Sequence, residues 1–136
     1  MMYLTRRERF SAAHRMFRQD WSDEKNLEVF GKCSYKNWHG HNYVLWVTVK
    51  GELSYNKGFV MNINTLKKII REKIIEKIDH KNINLDVEFM KDRISTTENL
   101  AIAIWNELKP EIEKTGVELH CVRIEETENN FIEYYG

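Results

Sequence analysis

The residues with the clearest chemical potential are His39-Gly40-His41, which stand directly before the β-branched and aromatic run Tyr43-Val44-Leu45-Trp46-Val47-Thr48-Val49. In an extended chain, side chains two positions apart project to the same side, so the two imidazoles converge. Gly40 has no side chain and leaves room for a third group from a neighbouring strand. His14, at the end of an earlier extended segment, is the candidate. Three histidines with one position left open form the ligand set of a catalytic zinc, whereas a structural site is usually closed by a fourth cysteine or histidine. On spacing alone, a chance His-x-His pair is the competing explanation.

Cys33 lies six residues before His39, in the stretch Gly31-Lys32-Cys33-Ser34-Tyr35-Lys36-Asn37-Trp38, which has no apolar periodicity to bury a thiol as core filler. A thiol beside a cation is a candidate base or nucleophile, because positive charge favours the thiolate; a fourth zinc ligand is the other role open to it. Asp79-His80 ends a helical pattern, where a carboxylate can orient an imidazole and raise its basicity, or where the histidine simply answers the helix dipole. Cys121 sits in a strand-like segment beside Val122 and Ile124 and is expected to pack as a small hydrophobe. His120 is expected to face away from it.

Those side chains need elements to hold them. Tyr3 to His14 and Asn42 to Leu53 read as strands. Between them Gln19 to Ser34 is mostly polar and reads as a long loop or small helix. Asn62-Ile63-Asn64 supplies capping oxygens before Leu66, Ile69, Ile70, Ile74 and Ile78, which share one helical face. Ser95 and Glu98 have capping-box spacing before Leu100, Ala101, Ile104, Leu108 and Ile112, a helix that Pro110 should kink or end. Val117 to Glu125 and Phe131 to Tyr135 read as two more strands around the turn-rich Thr127-Glu128-Asn129-Asn130. The order ββααββ predicts an α+β fold, a four-stranded antiparallel sheet with two helices on one face. The other face is expected to be apolar around Trp46 and to be buried by self-association.

The 136 residues fit one domain, 1–136, with 42% hydrophobic and 31% charged residues. No window approaches the roughly 18 apolar residues of a membrane span, so no membrane partner is expected. Lys plus Arg and Asp plus Glu both number 21, and this balance speaks against nucleic acid as a partner. Behind Met1-Met2-Tyr3-Leu4-Thr5-Arg6-Arg7-Glu8 there is no apolar stretch, and the two cysteines lack C-x-x-C spacing; both point to a cytoplasmic chain with free thiols.

Taken together, Phe10-Ser11-Ala12-Ala13-His14-Arg15, Gly31-Lys32-Cys33 followed by His39-Gly40-His41-Asn42-Tyr43, Asp79-His80-Lys81-Asn82, Ser95-Thr96-Thr97-Glu98-Asn99 and Glu126-Thr127 resemble the 6-pyruvoyl-tetrahydropterin synthase family, from about Phe10 to Gly136. The resemblance implies the tunnelling fold, in which protomers join through their sheets into a trimeric barrel and two trimers stack as a homohexamer. It implies zinc on His14, His39 and His41, with Cys33 as the catalytic thiol. Asp79 and His80 match a proton-transfer dyad that reaches the site from a neighbouring subunit. Glu126 matches the carboxylate that anchors the pterin, and Thr96, Thr97 and Glu98 match a helix-start segment lining the same pocket. The implied activity is a lyase reaction on 7,8-dihydroneopterin triphosphate with loss of triphosphate, without nicotinamide; no Gly-rich dinucleotide fingerprint is present.

The queuosine-pathway relative, 6-carboxy-tetrahydropterin synthase, shares substrate, zinc and fold but releases acetaldehyde. Five residues separate Cys33 from His39, and this spacing together with Ser-Thr-Thr-Glu-Asn favours the pyruvoyl branch. A non-catalytic zinc- or pterin-binding member would lack a competent base, which Cys33, Asp79 and His80 provide. The segment Ser34-Tyr35-Lys36-Asn37-Trp38 departs from the Asn-rich, glycine-containing linker of animal members, and Trp38 is a bulky residue at the pocket mouth.

Overall fold

The computed structural model describes residues 1–136. Two thirteen-residue strands, β1 (Met2–His14) and β2 (His39–Gly51), pair antiparallel along their whole length, from Met2 opposite Gly51 to His14 opposite His39. Between them lie α1 (Asp23–Phe30), capped by the Ser22 hydroxyl, and a 3₁₀ turn, Gly31–Ser34. The small helix expected as one option for Gln19 to Ser34 is therefore α1.

The first long helical pattern, capped by Asn62, becomes α2 (Ile63–Ile70), a π-helical segment Arg71–Ile75, and α3 (Glu76–Ile78). The reason lies in its spacing. Leu66, Ile70, Ile74 and Ile78 recur every four residues and are all fully buried. In a helix of 3.6 residues per turn such a row drifts by about 40° at each step. A stretch of i→i+5 bonding winds more residues into a turn and brings the row back onto one face. The second long helix is α5 (Thr97–Glu113). Its cap falls one residue later than predicted: Thr96 accepts from Asn99 N–H, while the Ser95 hydroxyl turns inward. Pro110 does not end it. The buried Ile112 and the bonds from Lys114 N–H to the Pro110 carbonyl and from the Thr115 hydroxyl to the Ile112 carbonyl hold the last turn in place.

The last two strands are β4 (Glu118–Thr127) and β5 (Asn130–Tyr134). The sheet has five strands rather than the four expected, in the order β3-β1-β2-β4-β5. The addition is β3 (Lys81–Asn82), which runs parallel to Ala12–Ala13, followed by the short helix α4 (Ile83–Asp86). Two residues are too few to show alternation; the left-handed turn at His80, φ 60°, lays them along β1. Both long helices cover one face, where Phe10, Tyr43, Leu45, Val47, Val49, Val122 and Ile124 meet Ile70, Ile74, Leu100, Ile104 and Leu108 in one core.

The uncovered face is not the apolar surface expected around Trp46. Arg7 and Arg123 lie over the Trp46 ring at 5.6 and 4.7 Å, Arg123 is also 3.8 Å from the Phe131 centroid, and Thr5 and Thr48 share a 2.7 Å hydrogen bond. A register shift at Thr48/Val49 leaves His120 without a partner opposite, and it packs between the Tyr3 and Tyr135 rings. The Tyr135 hydroxyl donates to Glu133 and lies near the Cys121 thiol, so a bulge brings together two neighbours that strict alternation would separate. Cys121 is buried, as expected of a small hydrophobe. No helix is long and apolar enough to cross a membrane.

Ile104 is fully buried at the centre of this core. Ile104→Ala is expected to cost about 2–5 kcal/mol by opening a cavity. Urea unfolding of the variant checks this, and a midpoint equal to wild type would contradict it.

Candidate active site

The β1/β2 register places His14 opposite His39 and Ala12 opposite His41. All three imidazoles therefore stand on the helix-covered face, with ring centroids 4.5 to 5.2 Å apart. One nitrogen from each lies within 4.8 Å of the others. Gly40 makes room, though on the opposite face from the imidazoles: a Cβ there would stand 3.2 Å from the Ala12 carbonyl oxygen, tighter than ordinary packing.

The imidazole of His14 is completely buried. Its Nδ1–H donates to the Ser95 carbonyl at 2.8 Å, which fixes the tautomer and turns the Nε2 lone pair toward the other two rings. The Nε2 atoms of His14, His39 and His41 are all buried without a hydrogen-bond partner. Three converging, unsatisfied imidazole acceptors fit a metal ion. Burial pushes His14 and His39 below the ordinary imidazole range, which keeps them neutral and able to ligate.

Glu126 completes the cluster. It falls in the register shift between Glu125 and Thr127 of the β4–β5 hairpin, where a bulge can re-aim a side chain. Its Oε1 lies 3.1 Å from His41 Nε2 without hydrogen-bond geometry, and its Oε2 accepts from the Thr97 hydroxyl. Cys33 sits in the 3₁₀ turn behind α1, half-buried, and is not part of the ligand cluster, which argues against its reading as a fourth ligand. Burial first, and then the Glu126 charge, push its thiol up. The protein's own groups therefore hold it protonated. Tyr43 is buried two positions beyond His41 and its ring lies 5.5 Å from that imidazole; burial, with Glu126 and Cys33 nearby, holds its hydroxyl protonated.

Within the chain the structure thus gathers His14, His39, His41, Glu126 and Thr97, with Cys33 close enough to feel the Glu126 charge. Thr96 is occupied as the cap of α5, and Glu98 is exposed in its first turn. Asp79 and His80 do pair, Nδ1 to Oδ2 at 3.0 Å, but at the outer edge of β1, with the His80 side chain 81% exposed. Ser11 N–H donates to Asp79 Oδ1 and, with His80, holds that carboxyl below its usual range. Trp38 adopts a left-handed φ of 64° immediately before His39 and lines a cavity of about 890 Å³ with Phe17, Arg18 and Ile94.

A sequence model of the family described as 6-pyruvoyl tetrahydropterin synthase matches residues 3–136. The chain belongs to the 6-pyruvoyl tetrahydropterin synthase family. A relative from Dictyostelium discoideum named 6-pyruvoyl tetrahydrobiopterin synthase is 48% identical over 133 residues, 98% of this chain and 95% of the relative. The solved structure of the 6-pyruvoyl tetrahydropterin synthase of Caenorhabditis elegans superposes with a TM-score of 0.92 at 41% identity, covering 99% of this chain and 95% of that one. A Rickettsia bellii protein named 6-carboxy-5,6,7,8-tetrahydropterin synthase is 27% identical over 150 residues, 98% of this chain and 99% of its own. The α+β architecture is that of the synthase family's tunnelling fold, with the small strand β3 added to the expected four, and the chain is an enzyme of the synthase type.

Two groups beside the triad, Tyr43 and the Ser95 carbonyl, were given no role at the site by the sequence reading. Tyr43 was within reach, since it continues the alternation from His39 through His41. The Ser95 carbonyl carried no signal, because a backbone acceptor has no residue type. Removal of one imidazole tests the cluster: His39→Ala is expected to lower divalent-metal content well below one ion per chain, read by elemental analysis, and full occupancy would contradict the ligand set.

Proposed function

We propose that this chain converts 7,8-dihydroneopterin triphosphate to a 6-pyruvoyl-tetrahydropterin with elimination of triphosphate, using zinc held by His14, His39 and His41. The observation that carries the reading is the meeting of three unsatisfied imidazole nitrogens with a carboxylate pinned by Thr97. Higher identity to a pyruvoyl-named relative, 48%, than to a carboxy-named one, 27%, supports the choice of product.

When bound, zinc supplies a Lewis acid that polarises the side-chain hydroxyls. Glu126 offers its carboxylate edge to the paired N–H groups of the pterin's amino-pyrimidinone, and the Thr97 hydroxyl keeps that edge oriented while leaving acceptor sites free. Cys33 takes the carbon-bound proton, and a cation at the triad opposes the burial and the Glu126 charge that otherwise keep the thiol protonated. His80, oriented by Asp79, relays a proton. Because this dyad is exposed at the edge of its own protomer, it serves the site of a neighbouring subunit in a homohexamer. The open edges of the sheet, β1 before Ser11 and the outer side of β5, leave unpaired backbone groups for neighbours to cover.

Incubating the zinc-loaded protein with 7,8-dihydroneopterin triphosphate is expected to give a 6-pyruvoyl product and triphosphate by mass spectrometry; a 6-carboxy product with acetaldehyde would assign it to the other branch. Cys33→Ala should lose at least about 10²-fold in kcat while keeping its zinc. Loss of metal in that variant would make the thiol a ligand. For the shared site, inactive Cys33→Ala and His80→Ala proteins, unfolded and refolded together, should regain activity that neither has alone. If no activity returns from an assembly shown by light scattering to be mixed, the dyad acts within its own chain.

A further inference from the structure

We propose that Asn84 is a positioning residue for the metal triad and for the Cys33 turn, an assignment that rests on the reading of His14, His39 and His41 as metal ligands. Asn84 lies on α4, 69 residues beyond Arg15, yet both ends of its amide are spent on that one residue's backbone. Arg15 N–H donates to Asn84 Oδ1 at 3.0 Å, and Asn84 Nδ2–H donates to the Arg15 carbonyl at 2.9 Å. A side-chain amide thus takes up the pairing that a neighbouring strand would otherwise provide, at the residue that follows His14.

The buried Ser95 hydroxyl, with one proton to give, stands 3.0 Å from the Arg15 carbonyl and 3.1 Å from Asn84 Oδ1. Either bond locks Ser95 against the same clamp, and Ser95 carries the carbonyl that fixes the His14 tautomer. On the other side, Arg15 Nε–H donates to the Ser34 carbonyl at 2.7 Å, and Met16 N–H donates to the Cys33 carbonyl at 2.8 Å. The chain from His14 to Met16 therefore connects ligand, tautomer-setting carbonyl and thiol turn, and Asn84 is the side chain that holds it. Asn84 touches no reacting atom; its effect passes through His14 and Cys33. The Ser95 carbonyl stands directly behind the His14 imidazole, as a partner whose loss typically changes metal affinity by about 10- to 100-fold, and Asn84 acts on it one bond further out.

The test measures Zn²⁺ affinity by competition with a chromophoric chelator, and the Co²⁺ absorption spectrum, both well below the thermal midpoint. Asn84→Ala is expected to weaken Zn²⁺ binding by about 10-fold, the lower end of that range, and to alter the Co²⁺ ligand-field bands, which a loss of stability alone does not move. In the metal-free protein it also changes the rate of Cys33 alkylation by iodoacetamide, measured in a Cys121→Ser background. Asn84→Asp keeps the acceptor for Arg15 N–H and leaves the Ser95 hydroxyl to serve the Arg15 carbonyl, so it recovers part of the affinity. Leu85→Ala, exposed on the same helix, serves as the control. If Asn84→Ala does not fold, Ser95→Ala carries the same expectation. Zn²⁺ affinity and Co²⁺ bands equal to wild type in the folded variant overturn the assignment of Asn84 alone. A wild-type protein that binds no metal through the histidines overturns both this inference and the reading beneath it.

Discussion

The site depends first on the register between β1 and β2. Strand side chains alternate with a period of two, so a slip of one residue would send His14 to the uncovered face while His39 and His41 stayed behind. What prevents the slip is the core: Phe10 and Ala12 on β1, with Tyr43, Leu45, Val47 and Val49 on β2, are buried against the helices, and a slip would expose one set. The apolar packing that makes the sheet fold is thus also what brings three imidazoles together. The imidazole cluster and the core share one periodicity here, with the three histidines taking its last positions at the end of the ladder.

Glu126 and Cys33 reach the neighbourhood of the triad by less regular routes. Glu126 does so at a disruption of the β4–β5 ladder, and Cys33 from a 3₁₀ turn held by a backbone bond to Met16. Both therefore depend on local backbone geometry that the strands alone would not specify. The Thr97 hydroxyl and the Arg15 side chain are the small fixtures that keep these irregular pieces in place.

The long strands, the two helical stripes and the three histidines were legible because each is written as a repeated spacing of residue types. Four things were not. The strand β3 has two residues and owes its place to a left-handed turn at His80. The cap of α5 moved from Ser95 to Thr96 because the Ser95 hydroxyl had inward partners contributed by Arg15 and Asn84, far off in the chain. The π-helical segment follows from a four-residue repeat, yet a helical face can be read from that repeat without revealing the change in winding. Trp46 suggested an apolar outer face, where two guanidinium groups instead lie over its ring. Except in the π-helical segment, the deciding contact joins residues distant in sequence, and residue type alone does not name the partner.

The far end of β1 is gripped on both sides, by β2 along one edge and by the segment from Asp79 to Asn84 along the other. Its first nine residues, Met2 to Phe10, have β2 as their only backbone partner. The strand therefore has a gradient in the free energy of local opening: its amides near Met2 exchange with solvent through small fluctuations, while those near Ala13 and Arg15 wait for a larger unfolding event. The histidine at the rigid end is held between two backbone partners, so the meeting of the three imidazoles is set by the fold itself.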